Sequence, residues 1–514
     1  MKSSILRTLH ATLAATAVWL FDGEFTSAPL QSRKEGYVGK LGLPKIACIV
    51  SVFCAATAIL SPAQTFTSLF SFDGKNGANP HYVNLVQGTD GNLYGTTYSG
   101  TGSGGTVFKI TTEGALTTLH TFCLHGYPCT DGAQPDAGLM LATSGNFYGT
   151  TVNGGAHNDG TVFEITPQGK LTTEHSFDGM DGTGPEVGLI QASNGDLYGT
   201  TTQGGTAGEG TIFQINSTNT LTSLLSFNGD NGIYPDARLV QGTNGNFYGT
   251  TYEVNSGDGT VFEMTPEGHL TTLHTFHTTD GGGPTGALIQ AANGNFYGTT
   301  VGGGANANRG GGTVFEITAA GKFTSLYSFC SKPDCTDGST PYAGLIQATD
   351  GNLYGTTFAG GANTNSCNGG CGTLFRITTS GHLTTLYSFC SKSACTDGSA
   401  PQGGLVQDTN GTLYGTTYYG GPDGLGTVFS LSVGLGRFVE TLPASGTVGE
   451  TIIILGTNLT GATKVSFNGT AAKPTVVSST EIKATIPAAA TTGMITVTTP
   501  SGTLKSNVAF VVTP

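Results

Sequence analysis

Apolar and polar positions alternate in short runs along this chain, and the runs recur in a fixed order. One unit shows it. Ala137 to Ala142 is an apolar run, and Ser144-Gly145-Asn146 is a tight turn. Gly supplies the positive φ that such a short hairpin needs. Phe147 to Val152 is a second run, followed by a Gly-rich loop from Asn153 to Asp159. Gly160 to Thr166 is a third run, Pro167-Gln168-Gly169 a second tight turn, and Leu171 to Phe177 a fourth run. Four strand-length runs separated by turn residues predict a four-stranded antiparallel meander.

The unit is repeated. Tyr-Gly-Thr-Thr starts at Tyr94, Tyr148, Tyr198, Tyr248, Tyr297, Tyr354 and Tyr414, at spacings of 49 to 60 residues. The third run opens at Gly105, Gly160, Gly210, Gly259, Gly312, Gly372 and Gly426. A lone meander cannot bury both faces, so seven of them must pack on one another. Many run positions are apolar or small on both faces, as in sheets sandwiched between neighbours. Thr65 to Phe72 reads as a fourth strand standing before the first unit, while the last unit stops after its third strand, Thr427 to Ser430. The first strand therefore completes the last unit and closes a ring, which removes exposed edges. The expected fold is all-β: a seven-bladed β-propeller of four-stranded antiparallel blades over residues 64–432. An open solenoid is the runner-up.

The Leu-Tyr-Gly-Thr-Thr, Gly-Gly-loop, Gly-Thr-Val-Phe pattern resembles the GloVer tandem repeat of bacterial secreted proteins. That resemblance implies a surface location and tandem architecture, and brings no established activity or catalytic residue. The repeat stops after Gly436. Residues 437–514 carry Ile452 to Leu459, Val465 to Gly469, Ile486-Pro487 and Gly493 to Val497 as short strands and turns. They predict an immunoglobulin-like sandwich, and their order resembles the IPT/TIG domain. The resemblance implies a spacer or interaction module.

Composition sharpens this. Only 10% of the 514 residues are charged, Gly numbers 82 and net charge is −13. Dense Gly with short apolar runs fits an all-β chain rich in turns. No basic cluster exists to grip phosphates, so nucleic acid is not an expected partner. Residues 1–63 lie outside the repeat. Lys40 and Lys45, the apolar run from Ile46 to Ala56, and Ser61-Pro62-Ala63 follow the order of a secretory signal cut before Gln64. Such a run is short for a membrane span; a retained anchor is the alternative. An earlier stretch, Lys2 to Leu20, is also signal-like, which suggests a translation start near Val38.

Cysteines come in local pairs: Cys123/Cys129, Cys330/Cys335, Cys367/Cys371 and Cys390/Cys395. In a secreted chain these predict disulfides that staple loops, with cross-pairing between Cys330/Cys335 and Cys367/Cys371 left open. Each loop between units contains [Asp/Asn]-Gly-x-x-Pro, from Asn76–Pro80 to Asp397–Pro401. Turn chemistry accounts for that pattern better than a ring of Ca²⁺ ligands. The repeated tyrosines are expected between blades. His120, His175 and His274 are expected to pack or face solvent, and Glu164, Glu263 and Glu316 to be solvated. No catalytic motif, cofactor or metal site is predicted.

Meander geometry puts the second-to-third-strand loops and the inter-blade loops on one face. Candidate ligand-binding residues there are Tyr252, Asn308, Arg309, Asn363, Asn365, Tyr418, Tyr419 and Asp423. The expected function is that of a secreted or cell-surface binding protein, monomeric, which presents this face to a glycan or protein. The alternatives are an extracellular polysaccharide hydrolase or lyase with carboxylates around the channel, and a structural envelope component.

Overall fold

A computed structural model describes residues 64–513 except 101, 103, 256, 310, 365, 366 and 368. The signal-like segments lie outside the described residues. Among the described residues, seven four-stranded antiparallel sheets precede the C-terminal sandwich, and no helix is long and apolar enough to cross a membrane. Blade 1 pairs Val86–Gln87, Leu93–Thr97, Thr106–Ile110 and Leu116–Thr121 in that order. Blade 7 contains Val406–Gln407, Leu413–Thr417 and Thr427–Ser432, and its outer strand is Thr65–Ser71 from the start of the repeats. The register runs from Thr65 opposite Ser432 to Ser71 opposite Thr427. Blades 7 and 1 also touch side by side. The Gly404 N–H donates to Asn84 Oδ1 at 2.6 Å, and Tyr414 and Val428 pack with Leu85 and Phe108.

The Tyr-Gly-Thr-Thr strand holds this ring together, one residue at a time. Tyr94 is fully buried and stacks on Phe147 of the next blade at 4.1 Å; Tyr248 stacks on Phe296 at 4.0 Å. Each such burial is worth roughly 2–3 kcal/mol. The Gly is required by packing, since a Cβ on Gly149 would lie 2.5 Å from the Phe163 ring. The first Thr reaches across to the next blade, as where Thr96 Oγ1 donates to the Ala137 carbonyl at 2.7 Å. The second Thr bonds within its own blade, Thr97 Oγ1 to Thr106 Oγ1 at 2.8 Å.

Two expectations need correction. The inner strand is shorter than its apolar run: only Met140–Leu141 of the 137–142 segment joins a ladder. Near the axis the neighbouring backbones abut, and a Cβ on Gly138 would sit 2.3 Å from the Asn84 carbonyl. The glutamates at the shared third-strand position are not simply solvated. Glu164 accepts from the Tyr148 hydroxyl at 2.8 Å and Glu263 from Tyr248 at 2.6 Å, while Glu316 accepts from Asn295. A tyrosine hydroxyl drawn in between blades needs a partner, and for Tyr148 and Tyr248 this position supplies it.

The C-terminal sandwich packs Val439–Leu442, Thr451–Gly456, Glu481–Thr485 and Pro474–Val476 against a second sheet. That sheet comprises Thr470–Ala472, Lys464–Phe467, Ile495–Thr499 and Gly502–Lys505. Ile452, Ile454, Phe467, Val497 and Phe510 form its core.

Candidate functional site: the mouth of the propeller channel

The loops between blades set the geometry. In blade 2 the motif Asp181 accepts the Asp178 N–H through Oδ1 at 3.0 Å and contacts His175 Nε2 through Oδ2 at 2.7 Å. His120 meets Asp131 at 3.0 Å and His274 meets Asp280 at 3.1 Å. Tyr327 and Tyr387 donate to Asp337 and Asp397 at 2.7 and 2.6 Å. These histidines are therefore loop anchors, and the motif carboxylates accept hydrogen bonds within their own loops. The motif Gly has no room for a side chain: a Cβ on Gly132 would lie 2.5 Å from Thr151 Oγ1. The motif Pro packs on the third-strand Gly of the preceding blade, 2.7 Å separating Pro135 Cδ from a Cβ built on Gly105.

Locked in this way, each loop delivers the residue after its Pro to the axis. These residues are His81, Asp136, Glu186, Asp236, Thr285, Tyr342 and Gln402. Three consecutive blades thus contribute carboxylates. Asp136 is 4% exposed and bonded to His81 Nδ1. Burial raises the Asp136 carboxyl, and its bond to His81 opposes the shift. Burial also raises Glu186, helped by the charge of Asp136. Asp236 is pushed up to about 8 by burial first, then by Glu186, Asp136 and Glu253. Like charges around one channel cannot all ionise at neutral pH without mutual cost.

Aromatic rings wall this mouth. His81 lies 4.1 Å from the Tyr82 ring, 5.7 Å from Tyr98 and 5.1 Å from Tyr418, and Tyr82 approaches Tyr342 at 6.0 Å. Burial lifts the Tyr82 phenol far above its ordinary range, so it stays protonated and able to donate. Below the carboxylates, Asn84, Gly138, Gly188, Arg238, Ala287, Gly344 and Gly404 share one register. Arg238 is the single long cation there. It lines both a small space of about 60 Å³ at the mouth and a larger cavity of about 390 Å³ beneath.

The C-terminal sandwich closes the lower end. Phe438, Glu440, Leu442, Leu455 and Val508 line the larger cavity opposite the propeller. Ile453 and Leu455 join Leu139 and Leu141 of blade 2 in one apolar cluster, and Thr480 Oγ1 donates to the Thr89 carbonyl at 2.7 Å. Elsewhere on this face a glutamine links each blade to the one before it, as where Gln241 Oε1 accepts the Ser193 N–H at 2.8 Å. Blade 2 has Leu141 at that position, and the sandwich docks there.

The predicted site residues divide. Tyr418 reaches the mouth through His81. Tyr252 lies over the loop of the next blade, 2.8 Å from a Cβ built on Gly283. Tyr419 is 48% exposed beside Tyr418, at 4.4 Å between rings. Asp423 is an exposed loop residue, and the exposed Asn308 is the middle residue of the single-turn 3-10 helix Ala307–Arg309, which Arg309 ends. Asn363 is turned inward, donating to the Ser388 and Phe389 carbonyls at 3.0 and 2.9 Å, so it braces its loop. Asn365 lies outside the described residues. Sequence reasoning missed His81, Asp136, Glu186, Asp236 and Arg238. Their signal was positional: each stands one or three places beyond a motif Pro, at a point where the repeat stops repeating.

All four cysteine pairs are local disulfides, Cys123–Cys129, Cys330–Cys335, Cys367–Cys371 and Cys390–Cys395. The Cys390 and Cys395 sulfurs lie beside those of Cys367 and Cys371, and the Cys335 carbonyl accepts the N–H of Gly361 in the same loop at 2.9 Å.

The fold defines a ring of seven blades with one loop-bearing face and an immunoglobulin-like cap. The Gloeobacter/Verrucomicrobia repeat matches residues 121–308 and 253–473, and the IPT/TIG domain matches residues 438–512. The chain belongs to the Gloeobacter/Verrucomicrobia repeat family and ends in an IPT/TIG domain. No curated protein matches it. Among solved structures it is similar to a fungal alcohol oxidase in complex with copper, at 12% identity and TM-score 0.47, covering 88% of this chain and 99% of that one. A putative 6-phosphogluconolactonase from Bacteroides uniformis matches at 18% identity and TM-score 0.42, over 63% and 88% of the two chains. A gluconolactonase from Xanthomonas campestris matches at 12% identity and TM-score 0.37, over 73% and 92%.

Proposed function

We propose that this is a secreted or cell-surface binding protein that takes a glycan at the channel mouth of its loop-bearing face. One observation carries the reading: the residues after the motif prolines converge as carboxylates and His81 inside a wall of tyrosines. Sugar rings stack on aromatic faces, and their hydroxyls donate to carboxylates. Three acidic groups favour a neutral or amino-bearing glycan over an acidic one. The disulfides and the repeat family accord with an extracellular setting. The test is calorimetric titration with neutral, amino and acidic polysaccharides. Asp136→Asn and Tyr418→Ala are each expected to weaken binding about tenfold or more, one lost interaction of roughly 1.4 kcal/mol. Equal affinity in both variants and wild type would place the ligand elsewhere.

A second reading, an extracellular polysaccharide hydrolase or lyase, is favoured by Asp236 alone. A carboxyl held protonated to about pH 8 at the mouth of a channel is suited to the general-acid role in cleaving a glycosidic bond. It predicts release of reducing ends that falls as pH rises through about 8 and is lost in Asp236→Asn. Binding without product release rejects it.

A further inference from the structure

Blade 6, built from Ile346–Gln347, Leu353–Thr357, Thr373–Ile377 and Leu383–Ser388, carries two cysteine pairs in adjoining loops. Cys367 and Cys371 lie in the loop between its second and third strands, and Cys390 and Cys395 in the loop leading to blade 7. All four Sγ atoms lie within 4.8 Å of one another. We propose that these sulfurs form a second, redox-exclusive site: with both disulfides reduced, the tetrad binds one thiophilic divalent cation of the Zn²⁺ class through four thiolates.

The geometry is close to what that ion takes. Zn–S bonds of about 2.3 Å in a tetrahedron set sulfurs about 3.8 Å apart, so shifts of about 1 Å suffice. The loops are held by bonds that do not need sulfur. The Cys390 N–H donates to the Gly398 carbonyl at 3.1 Å, and the Gly421 N–H to the Cys395 carbonyl at 3.0 Å. The Ala400 N–H donates to the Cys371 carbonyl at 2.8 Å, and Asn363 braces the loop that carries Cys367. Reduction therefore leaves the four backbone positions fixed. Cys371 is 1% exposed and the other three are half-buried against Leu374 and Phe389, a dry wall that favours a closed, fully sulfur-ligated ion.

The chain contains its own control. Phe329-Cys330-Ser331-Lys332 in blade 5 matches Phe389-Cys390-Ser391-Lys392 in blade 6, but the loop facing it, residues 301–312, has no cysteine. Two sulfurs make a disulfide; four also make a metal site. Every disulfide chain starts as thiols, so the metal form precedes oxidation and competes with it.

The test uses the full chain reduced by a water-soluble phosphine. Each disulfide takes one phosphine and one water, giving two thiols and a phosphine oxide. Binding of one cation then releases four protons. Co²⁺ reports tetrahedral tetrathiolate coordination by its absorption, and Zn²⁺ displaces it. The expected result is one equivalent per chain in the wild type and in C330S/C335S, and none in C367S/C371S. Absence of the band in reduced wild type overturns the proposal. So does equal binding by C367S/C371S, or loss of the β-sheet circular dichroism signal on reduction, because fixed loops are the premise.

Discussion

His175 and Asp181 show how single residues are matched across a blade. The fourth-strand position and the loop position vary together through the repeat. Asp131, Asp181 and Asp280 face His120, His175 and His274, and Asp337 and Asp397 face Tyr327 and Tyr387. Where the strand residue is Phe70 or Leu225, the loop residue is Asn76 or Asn231. A half-buried carboxylate needs a donor, and an amide beside an apolar side chain does not carry the charge. His175→Leu is therefore expected to cost about 1–2 kcal/mol, and adding Asp181→Asn to recover most of it, in a double-mutant cycle read by urea unfolding. Burial raises Asp181, but bonds from His175 and Asp178 outweigh it and leave its pKa lowered. A lowered folded pKa stabilises above the unfolded value of about 3.9 and loses that contribution as pH falls through the folded value. The coupling should accordingly be full at pH 6 and fade below about pH 4. A coupling unchanged at acid pH would show that the carboxylate charge is not what His175 answers.

Among elements, the strand Thr65–Ser71 matters most. It supplies the outer ladder of blade 7 and sends Phe66 onto Tyr387 at 3.9 Å and Phe72 onto Phe108 at 5.5 Å, in the cores of two blade contacts. Without it the last blade exposes the edge Thr427–Ser432 and the ring loses its clasp. A chain starting at residue 74 is expected to aggregate and lose its cooperative thermal transition, and a synthetic peptide of residues 64–73 added in trans to restore the monomer in size-exclusion chromatography. A truncated chain that melts like the full one would sink the clasp idea. This strand is legible in the sequence, because Thr65 to Phe72 reads as a fourth strand with no unit of its own. The Tyr-Gly-Thr-Thr strands were legible for the same reason, repetition. The channel mouth was not. Its chemistry lies in Asp136, Glu186 and Asp236, which share a register with Thr285, Tyr342 and Gln402, so no recurring residue type marks it. Nor did spacing reveal that Asn363 turns inward, since its two carbonyl partners belong to the neighbouring strand end.

On the scale of the whole molecule, the sandwich is a cap and not a tether. Ile452-Ile453-Ile454-Leu455 is apolar at successive positions, the mark of a strand buried on both faces. Ile452 and Ile454 enter the sandwich core, while Ile453 and Leu455 meet Leu139 and Leu141 beneath blade 2. The same contact encloses the cavity under Arg238. Leu455→Asp sets an unpaired carboxylate in that cluster, at a cost of roughly 3–5 kcal/mol. Because Leu455 faces out of the sandwich, both folded bodies should survive while their contact is lost. The expected outcome is a larger radius of gyration in solution scattering and new proteolysis within residues 433–438, with the two unfolding transitions separated. If Leu455→Asp keeps the wild-type radius and cleavage pattern, the apolar contact is not what holds the cap, and the hydrogen bonds between the two bodies, Thr480–Thr89, Asn507–Gln347 and Thr457–Thr409 among them, must carry it instead.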